Sequence, residues 1–298
     1  MTASETPPAG LSRRQLLAAS AGALLAPSLS SAKETQVSPK AFVYTEVAIS
    51  VPFDQAPWQQ ISEAIRQQPG FLNKTWLSGH GTQSLGGFYA FDSIENARRF
   101  VTGYFPSEAR GFGVAHNTRV FDAAAAEAAS RDMGAVHFGT VPPAKPGAFV
   151  YTELQLSLPF EQAPWQTRNT ALRQVPGLQN KVWLSGLQTS TLGGFDAFET
   201  LDEALAYALT AFPETAAELG SAFYTRVVDA TGPEAASRLM GSPYYRRGGQ
   251  DGWRRPLPPP VICAARSSRT AASTPAPPWI LPAPRPRRCR GSPSEYPG

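Results

Sequence analysis

The stretch AFVYTEVAISVPFDQAPWQQISEAIRQQPGFLNKTWLSG, residues 41–79, returns 107 positions later as AFVYTELQLSLPFEQAPWQTRNTALRQVPGLQNKVWLSG, residues 148–186. Extended without a gap to Ala41–Gly134 and Ala148–Gly241, the two segments agree at 50 of 94 positions. A period this long exceeds the ~20–50 residues of solenoid and propeller units, so each copy has the length of a small domain. Two such copies on one chain read as a fused homodimer.

Within one copy, Ala41–Val51 alternates and is rich in β-branched residues, the pattern of a strand. One face carries Val43, Val47, Ile49 and Val51; the other carries Phe42, Tyr44, Glu46 and Ala48. Asp54 is a candidate N-cap and Pro57 a first-turn residue for a helix in which Trp58, Ile61, Ala64 and Ile65 recur, stopped by Pro69-Gly70. Phe71–Ser78 and Leu85–Phe91 read as strands, Ile94–Tyr104 as a helix capped by Ser93, Ala115–Asp122 as a strand and Ala123–Met133 as a closing helix. The second copy repeats the order over Ala148–Leu158, Glu161–Gln174, Leu178–Ser185, Leu192–Phe198, Leu201–Thr210 and Ala222–Asp229. Strand–helix–strand–strand–helix–strand is the split βαβ, ferredoxin-like arrangement, with both helices on one face of an antiparallel sheet. The other face is left bare. The expected fold class is therefore α+β, two ferredoxin-like repeats packed sheet to sheet as an intrachain barrel.

The ends are different in kind. Ser12-Arg13-Arg14-Gln15-Leu16-Leu17 leads an apolar run to Ala26, and Ser30-Ser31-Ala32 offers small residues for cleavage, which resembles a twin-arginine export signal. The run is shorter than the ~20 residues a membrane span needs. Residues 1–32 are thus expected to be removed, leaving a periplasmic or secreted chain. Residues 33–40 and the Pro-rich 140–147 read as linkers around repeats 41–139 and 148–246, and 247–298 as a disordered Pro/Arg-rich tail. Between residues 41 and 241 there are 13 basic and 19 acidic side chains, so the net charge of +4 belongs to the ends. No basic face for a nucleic acid is indicated. Both cysteines, Cys263 and Cys289, lie in the tail. With only His80, His116 and His137 for imidazoles, no zinc motif is present.

The run Pro69-Gly70-Phe71-Leu72-Asn73-Lys74-Thr75-Trp76, the later Gly86-Gly87-Phe88-Tyr89-Ala90-Phe91 and Val120-Phe121-Asp122 resemble the YdhR-type monooxygenases of the dimeric α+β barrel superfamily. The resemblance covers almost all of each repeat. It implies a cofactor-independent monooxygenase acting with O2 on an aromatic or polycyclic small molecule, in a cavity between sheet and helices. It also implies that Asn73, Trp76, Asn180 and Trp183 hold a substrate whose own carbanion activates oxygen. The alternatives are a non-catalytic ligand-binding barrel, a haem-binding barrel, since some relatives of the fold bind haem, and a structural duplication without a pocket.

Each candidate has a plainer counterpart. Trp76, Trp183, Trp58 and Trp165 serve equally as large residues joining helix to sheet. Tyr44, Glu46, Lys74 and Arg119, with Tyr151, Glu153, Lys181 and Arg226, read either as binding groups for an anionic substrate or as an ion-pair network between the sheets. His80 is the most proton-active side chain near the inferred pocket mouth, as base or haem ligand, or is a solvated turn residue. The glycine pairs suit close backbone approach better than phosphate binding.

Overall fold

The computed structural model describes residues 37–82, 84–156, 158–189 and 191–246. The twin-arginine segment, the cleavage site at Ala32 and the tail 247–298 lie outside the described residues. The first repeat is built from β1 (Ala41–Val47), α1 (Trp58–Arg66), β2 (Phe71–Gly79), β3 (Leu85–Phe91), α2 (Ile94–Arg99), α3 (Phe105–Phe112), β4 (His116–Asp122) and α4 (Glu127–Asp132). The second is β5 (Ala148–Gln155), α5 (Trp165–Leu172), β6 (Leu178–Ser185), β7 (Thr191–Phe198), α6 (Leu201–Ala206), α7 (Phe212–Glu218), β8 (Phe223–Asp229) and α8 (Glu234–Leu239).

Local chemistry explains where these bounds depart from the pattern. β1 stops at Val47 because both partners run out there, Leu85 on β3 and His116 on β4. Asp54 does not cap α1; it lies in a separate 3-10 turn, Phe53–Gln55, and α1 starts after Pro57. Ser93 does cap α2, its Oγ accepting from Asn96 N at 3.2 Å. That helix continues past Tyr104, because a π-turn, Phe100–Tyr104, carries it into α3 through Pro106. A proline ring in a regular helix meets the carbonyl four residues back, and the wider turn relieves this. Asp122 Oδ1 takes the N–H groups of Ala124 and Ala125, so the closing helix begins only at Glu127.

Within the first repeat the strand order is β4-β1-β3-β2, and the whole sheet runs β4-β1-β3-β2-β8-β5-β7-β6, all antiparallel. β2 joins β8 through Ser78–Asp229 and Gly79–Val228, and the bridge Phe121–Gly186 joins β4 to β6. His80 N and Leu187 N donate to Val227 O and Val120 O, both at 2.9 Å, at matching positions of the two seams. Two ferredoxin-like repeats thus form one intrachain α+β barrel joined along two short seams.

The bare faces meet inside, and aromatic rings fill the space. Phe42, Phe88, Phe195 and Phe149 form a ladder with centroids 5.0, 4.4 and 4.9 Å apart, crossing from one repeat to the other. Tyr44 stacks on its counterpart Tyr151 at 3.9 Å. Such pairs contribute about 0.5–1.5 kcal/mol each beyond area burial. His137 and its counterpart Tyr244 plug the same core, ring edge to face at 5.2 Å.

The closing helices are exchanged. α8 packs on the first repeat, where Ser237 Oγ accepts from Trp76 N at 2.9 Å; α4 packs on the second, where Ser130 Oγ accepts from Trp183 N at 2.9 Å. Met240 O and Met133 O take the N–H groups of Lys74 and Lys181. These are the outward donors of β2 and β6 beyond their short seam pairings, and buried N–H groups need partners.

Candidate functional site

Outside the barrel, between the outer face of β5, β6 and β7 and the helices α5 and α7, lies a cavity of about 400 Å³. Trp165 and Arg168 reach it from α5, Lys181 and Trp183 from β6, and Tyr207 and Thr215 from the π-turn Tyr207–Ala211 and α7. Most of the remaining lining is leucine, alanine and Phe212. Strand alternation sends Lys181 and Trp183 to the same outer face, while Val182 and Leu184 enter the barrel core.

Two polar arrangements shape this lining. Lys181 Nζ pairs with Asp196 Oδ1 at 2.8 Å and lies 4.7 Å from the Trp183 ring centroid. Asp196 is wholly buried, and that burial raises its carboxyl above the ordinary range although the Lys181 ammonium pulls it down. Gly194 makes the pair possible, because a Cβ there would collide with Lys181 Nζ. The second arrangement fixes Trp183. Its Nε1 donates to Asn169 Oδ1 at 2.8 Å, and Asn169 Nδ2 donates to Ala129 O at 3.1 Å and Asp132 Oδ2 at 2.8 Å. Arg173 holds Asp132 at 2.6 Å. Asn169 and Arg173 together keep the Asp132 carboxyl below its usual range. One wall of the cavity is therefore clamped by α4, a helix of the other repeat.

The matching space in the first repeat is nearly closed, about 30 Å³. Tyr89 stands where Asp196 does, Ile61 for Arg168, Glu108 for Thr215, Tyr104 for Ala211 and Phe112 for Leu219. Each exchange adds bulk or removes the polar partner. Lys74 then sits against the Trp76 and Tyr89 rings, 2.8 and 4.8 Å from their centroids, and burial holds its amine well below the usual lysine range. The clamp is missing as well. Trp76 Nε1 donates to Ser62 Oγ at 3.1 Å, and Leu239 replaces Asp132.

Residues 47–132 match the family model described as "Putative mono-oxygenase ydhR". The first repeat is a YdhR-type domain. The second is its copy by the half-identity of the two repeats. No curated protein matches the chain. Among solved structures, an anthrone oxidase-like protein is 16% identical, covering 65% of this chain and 92% of that one, with a TM-score of 0.41. A monooxygenase-like protein from Listeria innocua is 12% identical over 64% of this chain and 95% of that one, TM-score 0.37. A chlorite dismutase variant from Candidatus Nitrospira defluvii is 10% identical over 68% and 96%, TM-score 0.39.

In this pair of YdhR-type repeats the expected residues separate into three places. Trp165, Lys181 and Trp183 line the open cavity, and Lys74 and Trp76 line its closed counterpart. Trp58 is half-buried, its ring 6.3 Å from Phe53. Asn73 and Asn180 do not join the tryptophans. They pair with Ala90 and Ala197, whose side chains belong to the barrel interior, so they face inward, three residues and one strand face away from Trp76 and Trp183. Tyr44, Glu46, Arg119, Tyr151, Glu153 and Arg226 do not line the cavity either. Glu46 pairs with Arg226 at 3.2 Å and Glu153 with Arg119 at 3.3 Å, each bond crossing between repeats, and Tyr44 and Tyr151 donate to the same carboxylates. This is the ion-pair network between sheets.

His80 is exposed in the turn after β2 and lines none of these spaces. His116 is exposed on β4, and His137 is sealed in the barrel with both ring nitrogens unpartnered among the described residues. No histidine, cysteine or methionine among the described residues lines the cavity, and Tyr207 is a side chain there of a type that can ligate haem. Among the described residues no group of three or more His, Cys, Asp or Glu is placed to hold a metal ion. Pattern reading passed over Asp196, Arg168, Tyr207 and Thr215. The available signal was the set of positions where the copies disagree, above all a charged Asp196 in the otherwise apolar LGGFDAF of β7.

Proposed function

We propose that the second repeat is the working half, a cofactor-independent monooxygenase site for a flat aromatic or polycyclic small molecule. The observation that carries this reading is the contrast between an apolar cavity of about 400 Å³ and a counterpart of about 30 Å³ in one YdhR-type pair. A ligand ring stacks beside Trp183, and its acidic oxygen lies toward the Lys181 ammonium. That charge favours the ionised form, so an activated CH2 group yields an enolate and its proton leaves through the mouth. The enolate carbon reduces O2 and combines with it, and the resulting hydroperoxide loses water. The balance is CH2 plus O2 to C=O plus H2O, with all four electrons passing to O2. We also propose export of the mature chain, on the strength of Arg13-Arg14 ahead of Leu16–Ala26.

Anthrone oxidation to anthraquinone under air tests the reading. Ala171 is exposed on α5 and lines the cavity, so Ala171→Trp plugs the mouth without touching the core. Ala64→Trp, the matching change on α1, meets no cavity. The expected result is turnover in the parent and in Ala64→Trp and its loss in Ala171→Trp. Equal turnover in both variants overturns the assignment, and tight anthrone binding without product makes the barrel a carrier.

A further inference from the structure

The cavity's other cation, Arg168, has no ion-pair partner among the described residues. Arg168 Nη2 donates to Thr215 Oγ1, whose own hydroxyl donates to Ala211 O at 2.9 Å. That fixes the direction of the threonine lone pair and anchors the guanidinium at one corner. Among the described residues no carboxylate lies within ion-pair distance of Arg168, and its remaining N–H groups meet no acceptor, although a guanidinium carries five. The carboxylates nearby are otherwise engaged. Asp196 is buried and bound to Lys181, and Glu218, which also lines the cavity, is exposed on the last turn of α7. Tyr207 lines the same space and feels both Asp196 and Arg168, but burial pushes its phenol well above the usual range, so it stays neutral. Arg168 is therefore the lining cation that no carboxylate holds in an ion pair among the described residues, and it is a planar group suited to a carboxylate.

The closed half sharpens the point. Position 61 is Ile and position 108 is Glu, so neither the guanidinium nor its threonine anchor exists there. A charged residue on a half-buried helix face beside leucines costs desolvation and gives no packing advantage over Ile61's solution. The arginine appears only where there is room for a ligand.

We infer that the cavity selects polycyclic aromatic acids, with Arg168 pairing to the ligand carboxylate while the rings lie against Trp183 and Trp165. Arg168 is a specificity-determining residue. This rests on the reading of the second repeat as a small-molecule site and narrows it to anionic ligands.

Fluorescence titration of the full chain at pH 7.5 with anthracene-2-carboxylate and its neutral isostere anthracene-2-carboxamide tests the inference. A charge-assisted bidentate pair is expected to favour the carboxylate by about tenfold or more. Arg168→Ile, the residue the first repeat uses, should abolish that preference, the carboxylate losing about tenfold more affinity than the carboxamide. Arg168→Lys should keep part of it, as a point charge without the fork. Equal binding of the two probes by the parent, or a carboxylate preference that survives in Arg168→Ile, overturns the selectivity alone. Failure of the parent to bind either probe overturns the small-molecule site together with it.

Discussion

Replacing Asp196 tests both the buried ion pair and the reason one half is open. Asp196→Ala leaves the Lys181 ammonium buried without its partner, and removing one member of such a pair costs about 3–5 kcal/mol. For a folded unit of about 150–250 residues each kcal/mol moves Tm by roughly 2–4 °C, so a fall of roughly 6–20 °C is expected. Asp196→Tyr instead installs the first repeat's own solution, in which Lys74 rests on Tyr89 and Trp76. A buried tyrosine covers about 150–250 Å², worth about 4–6 kcal/mol at ~25 cal/mol/Å², the same size as the loss. The tyrosine variant should therefore return to within about 5 °C of the parent by scanning fluorimetry while losing binding of anthracene-2-carboxamide. The reasoning fails if Asp196→Ala melts within about 2 °C of the parent, because the pair would then not be desolvated. It fails equally if Asp196→Tyr binds the probe at parental affinity, since bulk at this position would not be what closes the cavity.

Two other outcomes are expected. Burial lowers His137 from 6.5 to about 3, so the folded barrel refuses a proton that the unfolded chain accepts; stability is complete above pH 6.5 and falls by about 1.4 kcal/mol per unit as pH drops toward 3. Urea unfolding at pH 7.5 and 5.0 should show that slope in the parent and a shallower one in His137→Tyr, the residue found at matching position 244; parallel slopes sink the assignment. Asp132→Ala should weaken carboxamide binding severalfold by releasing Asn169 and Trp183, whereas Leu239→Ala at the mirror position should not. Identical titrations for the two variants refute the clamp.

The exchange of α4 and α8 bears on how such a fusion diverges. Each repeat supplies the helix that finishes the other's outer layer, so neither copy can be lost without exposing β2 or β6. One copy is then free to fill its cavity, as Tyr89, Ile61 and Glu108 do, while it still supports the copy that keeps one.

The duplication and the order of strands and helices were readable from the chain. Periods of 2 and 3.6 record which face each residue takes within its own element, and a repeat records itself. The same alternation already separated Asn73 from Trp76, three residues apart on one strand, although the family likeness had grouped them. What only the tertiary structure decided is which half holds space. That depends on the sum of side chains converging from α1, α3, β2 and β3, or from α5, α7, β6 and β7, across a gap no local pattern describes. A tyrosine for an aspartate, or an isoleucine for an arginine, looks like ordinary divergence along the chain. Only where the helices meet the sheet do those differences become volume and unpaired charge.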